Sequence, residues 1–215
     1  DHPEAAGLLV GLLDPEGDRD DLVALLGRRL EVAEERGDAN VGASLALRLA
    51  DLLEPAAALD VIRGALRWAP SSVPLLRKRV ELLDPELEAA ERADAIEPLL
   101  EHERGDARRD RALELLRARL AAGDADAVER AIERVREIDP AHPDVATALA
   151  WLADAKVAEA AEDPGAAARL LRRAAQIRHS LGDADGALEA LDAAQNAEPD
   201  DLELLALRAQ RMLDV

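Results

Sequence analysis

The chain has no cysteine, phenylalanine or tyrosine, and Trp68 and Trp151 are the only aromatic residues among its 215. Without cysteine there is no disulfide framework, no thiolate nucleophile and no cysteine-based zinc site, which is typical of a reducing compartment. Without large aromatic rings, a hydrophobic core has to be built from Leu, Ala, Val and Ile. Because Leu and Ala have high helix propensity, this composition favours an all-α fold.

Long apolar runs and a targeting sequence are missing as well. No run of about 18 apolar residues occurs, so no transmembrane helix and no membrane partner are expected. The opening Asp-His-Pro-Glu lacks the basic and apolar regions of a signal peptide. We therefore expect a cytoplasmic protein. Because the first residue is not Met and the last helical pattern stops abruptly at Val215, we expect residues 1–215 to be a single domain from a longer protein.

Positive charge is scarce. The chain has 46 acidic and 27 basic residues, and its formal net charge is -19. A charge of this size and sign repels a phosphate backbone, so nucleic-acid binding is not expected. Lys78 and Lys156 are the only lysines, and we interpret this arginine bias as a codon effect rather than a functional demand for guanidinium groups.

Motifs for catalysis or cofactor binding are also missing. The glycines near the N-terminus are isolated and form no phosphate-binding loop, and no serine stands in a Gly-x-Ser-x-Gly turn. Acidic pairs are so common that they indicate solvated helix faces rather than acid-base catalysis. No metal-ligand spacing joins the four histidines, which are His2, His102, His142 and His179. We expect no enzyme activity, no cofactor and no metal site.

Helical segments, by contrast, repeat at the scale of a hairpin. Residues 37–70, 105–140 and 162–199 share one layout: an opening Gly-Asp or Glu-Asp pair, a Leu/Ala/Arg segment, a short break, a second segment and a closing proline. The last halves of the second and third copies align without a gap, GDADAVERAIERVREIDP (123–140) against GDADGALEALDAAQNAEP (182–199).

The Gly-Asp pairs and the prolines predict helix ends. Glycine ends one helix in a left-handed conformation, aspartate caps the next helix, and proline prevents continuation. Each stretch therefore predicts two antiparallel helices, and Ser71 and Ser72 fit helix N-caps after Pro70. Apolar residues recur at helical spacing between the breaks. Further helices are predicted over residues 4–13, 20–36, 72–83, 86–102, 142–161 and 201–214.

This layout resembles the tetratricopeptide repeat, a helical hairpin of about 34 residues. Residues 168–201 match its pattern at Leu171, Ala175, Ala187, Leu191, Ala194 and Pro199. Residues 39–72 match it at Leu45, Ala46, Leu49, Ala58, Ile62, Ala65 and Pro70. Residues 109–142 match less closely, at Leu115, Val128, Ile132, Val135 and Pro140, with Val128 where alanine is expected. The resemblance implies a right-handed α-solenoid of stacked antiparallel helix pairs.

The segment 142–161 departs from strict alternation of the two helices of a repeat. It reads as one unbroken helix with no clear partner between Pro140 and Gly182. Either this helix is kinked into two, or the superhelix changes phase here.

The resemblance implies a protein-protein interaction scaffold that binds a peptide or helix of a partner in a concave groove. Positions facing that groove correspond to Arg169, Arg172, Gln176 and His179, which are spaced by three and four residues. We expect Arg172 to contact an anionic group of the ligand and Gln176 to hydrogen-bond its main chain. Arg117, with Arg108 and Arg109, is a further candidate of the same kind. Alternatively, these arginines pair with acids on neighbouring helices.

Three other functions stay open. The chain could be an intramolecular regulatory or spacer domain of a larger protein. It could also self-associate through a terminal helix rich in leucine, since solenoids need polar caps; these leucines are Leu202, Leu204, Leu205 and Leu207. A helical enzyme is the third, and no residue constellation supports it.

Overall fold

The Gly-Asp pairs end and begin helices as the sequence predicts. Gly37, Gly123 and Gly182 adopt the left-handed conformation, with φ of 67°, 76° and 81°. The aspartate after each glycine accepts a hydrogen bond from a backbone N–H three residues further on, which satisfies a donor at the start of the next helix. These capping distances are 3.3 Å for Asp38 and Val41, 3.0 Å for Asp124 and Ala127, and 2.9 Å for Asp183 and Gly186.

The computed structural model describes residues 18–213, and helices make up most of this range. In chain order they are α1 (Arg19–Arg36), α2 (Ala39–Ala50), α3 (Pro55–Trp68), α4 (Val73–Leu82), α5 (Ala89–Ile96), a short 3-10 helix (Glu97–Glu101), α6 (Gly105–Ala122), α7 (Ala125–Ile138), α8 (Pro143–Glu162), α9 (Ala167–Ser180), α10 (Ala184–Ala197) and α11 (Leu202–Leu213). The helix predicted over 4–13 lies outside the described residues.

The chain divides into two compact units, Asp1–Arg111 and Ala112–Val215, with the boundary inside α6. In the first unit, each helix from α1 to α5 packs against the next. In the second unit, the same holds from α7 to α11. Because short turns join these neighbours, consecutive helices are antiparallel. The predicted all-α fold of stacked antiparallel helix pairs is therefore confirmed within each unit.

The core is built from alanine and leucine, as the composition requires. Every Leu, Ile, Val and Ala that matched the repeat pattern is buried, in all three copies, whereas the matching prolines are exposed. Ala46, Ile62, Val128 and Ala194 have no measurable exposed surface. The alanines among these positions let neighbouring helices approach closely.

The largest side chain of the first unit packs on a glycine. Trp68, at the end of α3, lies over the backbone of Gly42 in α2. A Cβ atom on Gly42 would stand only 2.0 Å from Cη2 of the indole ring. The indole ring occupies the space that a side chain at position 42 would fill.

One acidic side chain ties three helices of the first unit together. Glu91 of α5 accepts hydrogen bonds from Arg63 of α3, at 2.8 and 2.5 Å, and from Arg79 of α4, at 2.8 Å. The hydrogen bond from Arg63, followed by that from Arg79, lowers the pKa of Glu91 to about 2 despite partial burial. The carboxylate is therefore charged throughout the neutral range.

The helix predicted over residues 86–102 is wrong in its extent. An α-helix covers only Ala89–Ile96, and a 3-10 helix continues to Glu101. Residues 84–88 form a turn instead, because the Asp84 carboxylate accepts hydrogen bonds from the backbone of Glu86 and Leu87. Pro98, which lacks a backbone N–H, prevents α-helical hydrogen bonding through the second half.

Two expected caps and one kink also differ from the prediction. Helix α6 begins at Gly105 itself, so Asp106 lies inside its first turn and does not precede the helix. Ser72 occupies the N-cap position of α4, but its side chain makes no capping hydrogen bond. Helix α8 runs without interruption from Pro143 to Glu162, so this segment is not divided into two separate helices. The change of superhelical phase stays a prediction.

Among residues 18–213, no helix has the length and apolar character needed to cross a bilayer.

Candidate functional site

A cleft of about 430 Å³ lies in the second unit, between the end of α7, the turn that follows it, the start of α8 and the end of α9. Its size falls in the lower part of the range of about 300–1,000 Å³ typical of ligand pockets. Because α8 packs against both α7 and α9, the walls of the cleft come from three helices in mutual contact.

The turn between α7 and α8 forms one side of the cleft and is fixed by local chemistry. Pro140 cannot continue α7, and Pro143 stands at the start of α8, where its missing N–H has no cost. His142 is the N-cap residue of α8, and its Nδ1 accepts a hydrogen bond of 3.2 Å from the backbone of Asp144. The backbone N–H of His142 in turn donates to the Asp139 carbonyl at 3.2 Å. Two prolines and a cap therefore hold this wall in one conformation.

Apolar side chains line the floor of the cleft. Val145 and Ile177 are buried and Leu149 is half-buried, while Ala146 and Leu181 are exposed at its edge. Exposed apolar surface at a concave site is a common feature of binding sites, because a ligand removes it from water.

The polar groups of the cleft are basic or neutral. Arg136 and Arg173 line it, together with His142, Gln176 and Ser180, and none of its thirteen lining residues is acidic. Arg173 pairs with Glu129 of α7 through Nε, at 2.8 Å, and through Nη2. Arg136 pairs with Glu133, one turn earlier on α7, through Nη1 at 3.2 Å. Each guanidinium has five N–H donors, so both pairs leave donors for a ligand.

A second group of charges bridges α7 and α8. Lys156 of α8 is 4% exposed and contacts Asp126 of α7 at 2.7 Å and Glu159 at 3.1 Å. Burial lowers the pKa of Lys156, but the hydrogen bonds that its ammonium group donates to Asp126 and Glu159 outweigh burial and raise the pKa overall. The pKa of Asp126 is lowered mainly by the hydrogen bond from Lys156 and also, to a smaller degree, by the charge of Arg169.

The five binding residues predicted from the sequence lie in different surroundings. Gln176 lines the cleft and is exposed. Arg169 is exposed on the same helix, two turns away, on the side of Asp126. Arg172 instead forms ion pairs with Asp201 at 2.5 Å and with Glu203 at 3.5 Å.

The remaining two predicted residues also lie outside the cleft. Arg117 of α6 pairs with Asp144 of α8 at 2.8 Å. His179 is half-buried near the end of α9 and takes part in an interaction with its surroundings. For Arg172 and Arg117, the structure therefore shows the pairing with acids on neighbouring helices that the alternative interpretation describes.

Arg173 and Arg136 are the basic residues of the cleft that the sequence interpretation missed. On a helix, the residues three and four positions after a given residue both lie on nearly the same face as that residue. Starting from Arg169, the spacing of three leads to Arg172 and the spacing of four to Arg173, and only the latter reaches the cleft. Arg136 has a weaker signal, which is its place four residues before Pro140, the closing proline of the second repeated stretch.

Within residues 18–213, no three His, Cys, Asp or Glu side chains are grouped so that they could hold a metal ion.

Comparisons with known proteins give structural neighbours only. No family model matches the chain, and no curated protein matches it. Among solved structures, it is similar to YrrB, described as a TPR protein with an unusual peptide-binding site, at 19% identity over 83% of this chain and 96% of that one, with a TM-score of 0.39. It is also similar to a tetratricopeptide repeat protein from Parabacteroides merdae, at 19% identity over 91% of this chain and 94% of that one, with a TM-score of 0.34.

Proposed function

We propose that this protein is a non-enzymatic interaction scaffold that binds a peptide or helix of a partner protein. The observation that carries the proposal is the cleft of the second unit, which combines an apolar floor with exposed hydrogen-bonding side chains on rigid helices. Such sites bind extended chains because apolar contacts supply affinity while polar groups engage the main chain.

Gln176 is the side chain best placed to engage a partner's main chain. Its amide carries both donors and an acceptor, and it is exposed at the wall of the cleft. Arg169 lies on the same helix, and we propose that it contacts a longer ligand beyond the cleft. The ion pair of Arg172 with Asp201 favours a structural role for Arg172, so the ligand-contacting arginines on α9 are better sought at positions 169 and 173.

Affinity capture followed by peptide mapping tests this proposal. Purified protein is used to capture partners, and overlapping peptides of each captured protein are then titrated against it. We expect a short peptide to bind, and we expect Gln176→Ala combined with Arg169→Glu to weaken it at least tenfold at unchanged helicity. Arg28→Glu serves as the control, because Arg28 is an exposed arginine in the middle of α1, in the first unit.

Two results contradict the proposal. If every captured protein binds only as a folded domain and none of its peptides binds, the scaffold does not recognise a linear segment. If a peptide binds equally well to the double variant and to the Arg28→Glu control, the binding surface lies elsewhere on the chain.

Self-association is a second candidate function that one observation favours. In α11, Leu202 is 76% exposed and Leu205 is 41% exposed, whereas Leu204 is buried and Leu207 packs partly against the core. Only part of the predicted leucine cluster is therefore available to a second copy. Light scattering over a hundredfold range of protein concentration tests this function, and a constant monomer mass excludes it. The role of an intramolecular spacer stays an alternative, in which the bound segment belongs to the same polypeptide.

A further inference from the structure

The flat side chains around the cleft indicate which kind of residue it binds. We propose that the cleft takes the side chain of a tryptophan or tyrosine, carried by an uncharged segment of the partner. This inference rests on the proposed function and specifies the partner's chemistry.

The first argument is that the charges of the cleft are already compensated. Arg173 is paired with Glu129. Arg136 is paired with Glu133, so neither arginine has an uncompensated charge that would select an acidic ligand. The Nδ1 atom of His142 accepts a hydrogen bond, which only the neutral imidazole can do. No carboxylate lines the cleft, so a basic ligand finds no partner there either. An uncharged residue therefore loses least when it leaves water for this cleft.

The second argument is the supply of stacking surfaces. Arg173 bonds Glu129 through Nε and Nη2, which lie along one edge of the guanidinium group. All N–H bonds of a guanidinium lie in its plane, so its two faces stay free of hydrogen bonds and can stack on an aromatic ring. The rings of Pro140, His142 and Pro143 also line the cleft, and no Phe, Tyr or Trp of the chain is among the lining residues. An aromatic ring of a partner can therefore pack against flat groups on two walls, α9 and the turn before α8.

The third argument is the set of hydrogen-bond acceptors at the cleft. The hydroxyl of Ser180 donates to the Ile177 carbonyl at 2.7 Å, so the hydroxyl oxygen remains available as an acceptor. The exposed Gln176 carries a further acceptor in its amide group. The indole N–H of tryptophan and the hydroxyl of tyrosine can donate to such groups, whereas phenylalanine has no donor. We therefore expect tryptophan and tyrosine to bind more tightly than phenylalanine.

The fourth argument is the size and floor of the cleft. An α-helix with its side chains is about 10 Å wide, so a volume of about 430 Å³ corresponds to only about one helical turn. The cleft therefore suits one anchoring side chain and the main chain beside it. Aromatic side chains bury about 150–250 Å² each and dominate the energetics of interfaces, so a single aromatic anchor gains most from the apolar floor of Val145, Leu149 and Ile177.

Helix α8 offers a matched pair of variants for the test. Ala146 and Ala150 lie about one turn apart and both are exposed, but only Ala146 lines the cleft. Ala146→Gln and Ala150→Gln leave the net charge unchanged and alter the helix propensity equally. Only the first variant places a polar side chain in the space that the aromatic ring would occupy.

The experiment is selection from a random octapeptide display library on the wild-type protein, followed by fluorescence anisotropy of the enriched peptides with the wild type and both variants. We expect enriched sequences to carry Trp or Tyr without an excess of Asp or Glu. Replacing that residue of the peptide by leucine should weaken binding about tenfold, and replacing it by phenylalanine about threefold. Ala146→Gln should weaken binding about tenfold, and Ala150→Gln less than about twofold.

Two further measurements test the acceptors and the neutrality of the cleft. Ser180→Ala combined with Gln176→Leu should abolish the preference for a tryptophan peptide over its phenylalanine analogue, at unchanged helicity. Raising the salt concentration about tenfold should change the affinity less than about twofold, because no uncompensated charge takes part.

The outcomes separate this inference from the proposed function. Enriched peptides without an aromatic residue, or aromatic peptides that bind Ala146→Gln as tightly as the wild type, refute the aromatic occupant while leaving peptide binding in place. Strong weakening by salt likewise refutes an uncharged segment. Failure of the wild type to enrich any peptide counts against both proposals.

Discussion

The contact between Trp68 and Gly42 predicts that two glycine-to-alanine substitutions have opposite effects. A Cβ at Gly42 would lie 2.0 Å from Cη2 and within 2.9 Å of two further ring atoms, so the indole has to retreat by about 1.4 Å to reach ordinary contact. Overpacking of this kind costs about 1–3 kcal/mol, and the gain in helix propensity returns only about 0.5–1 kcal/mol. We expect Gly42→Ala to lower the free energy of unfolding of the first unit by about 1–2 kcal/mol.

Gly186 provides the matched control. A Cβ there would meet only the Asp183 carboxylate, which is the end of a side chain that can rotate. The equivalent cap in α7 already carries alanine at this place, since Ala127 donates its N–H to Asp124 at 3.0 Å. Gly186→Ala therefore gains helix propensity without a fixed clash, and we expect it to stabilise the second unit by about 0.5–1 kcal/mol.

Urea unfolding followed by tryptophan fluorescence measures both effects. Trp68 lies in the first unit and Trp151 in the second, so Trp151→Phe and Trp68→Phe backgrounds each leave one indole to report on one unit. With a slope of about 2 kcal/mol per molar urea, the expected loss for Gly42→Ala moves the midpoint by about 0.5–1 M. If Gly42→Ala unfolds at the same urea concentration as the wild type and leaves the Trp68 emission unchanged, the packing of the indole on Gly42 is wrong.

Three further outcomes follow from the charged groups and from the caps. The pKa of Glu91 is lowered from 4.5 to about 2, so its ion pairs stabilise the fold above pH 4.5 and lose that effect as the pH falls towards 2. We expect Glu91→Gln to lower the free energy of unfolding by about 1–2 kcal/mol at pH 7, and by progressively less at pH 4 and pH 3, in urea titrations. A constant difference across this pH range would contradict the argument. Lys156→Met keeps an apolar stem in the buried position and leaves only the exposed carboxylates of Asp126 and Glu159 without their partner, so thermal melts should show little change. Lys156→Ala removes the stem and should lower the free energy of unfolding by about 1–3 kcal/mol. Equal losses for the two variants would show that the charge, and not the stem, stabilises α8. Asp124→Ala removes a helix cap and should cost about 1 kcal/mol in the same melts, while unchanged stability would show that the cap contributes nothing.

Helix ends and core positions could be predicted from the sequence because their causes are local. A glycine that adopts a positive φ, an aspartate that caps and a proline that stops a helix act within a few residues, as at Gly182, Asp183 and Pro199. The apolar spacing and the resemblance to the repeat pattern likewise predicted that Ile62 and Leu171 are buried. The prediction of one helix over 86–102 was wrong because it followed the apolar spacing and gave too little weight to two local signals. These are the turn at Asp84 and the proline at position 98.

The candidate site was harder to predict because it depends on contacts between helices. The spacing of residues on α9 does not show whether Arg172 or Arg173 faces a groove, since both are one turn from Arg169. The choice depends on where the acids of neighbouring helices lie: Asp201 holds Arg172, and Glu129 holds Arg173 at the rim of the cleft. The turn that forms the cleft wall is local, but the opposing wall lies more than thirty residues later in the sequence.

The chain offers two ε-amines to amine-directed reagents, one in each unit. Lys78 is partly accessible and pairs with Asp51, whereas Lys156 is nearly enclosed between α7 and α8. A brief pulse of an acylating reagent, followed by mass spectrometry, therefore detects the separation of α7 from α8 as modification of Lys156. Modification of Lys78 in the first unit serves as the internal reference for the reagent. Because nearly all basic residues are arginine, the two lysines serve as native probes of local opening without any engineered label.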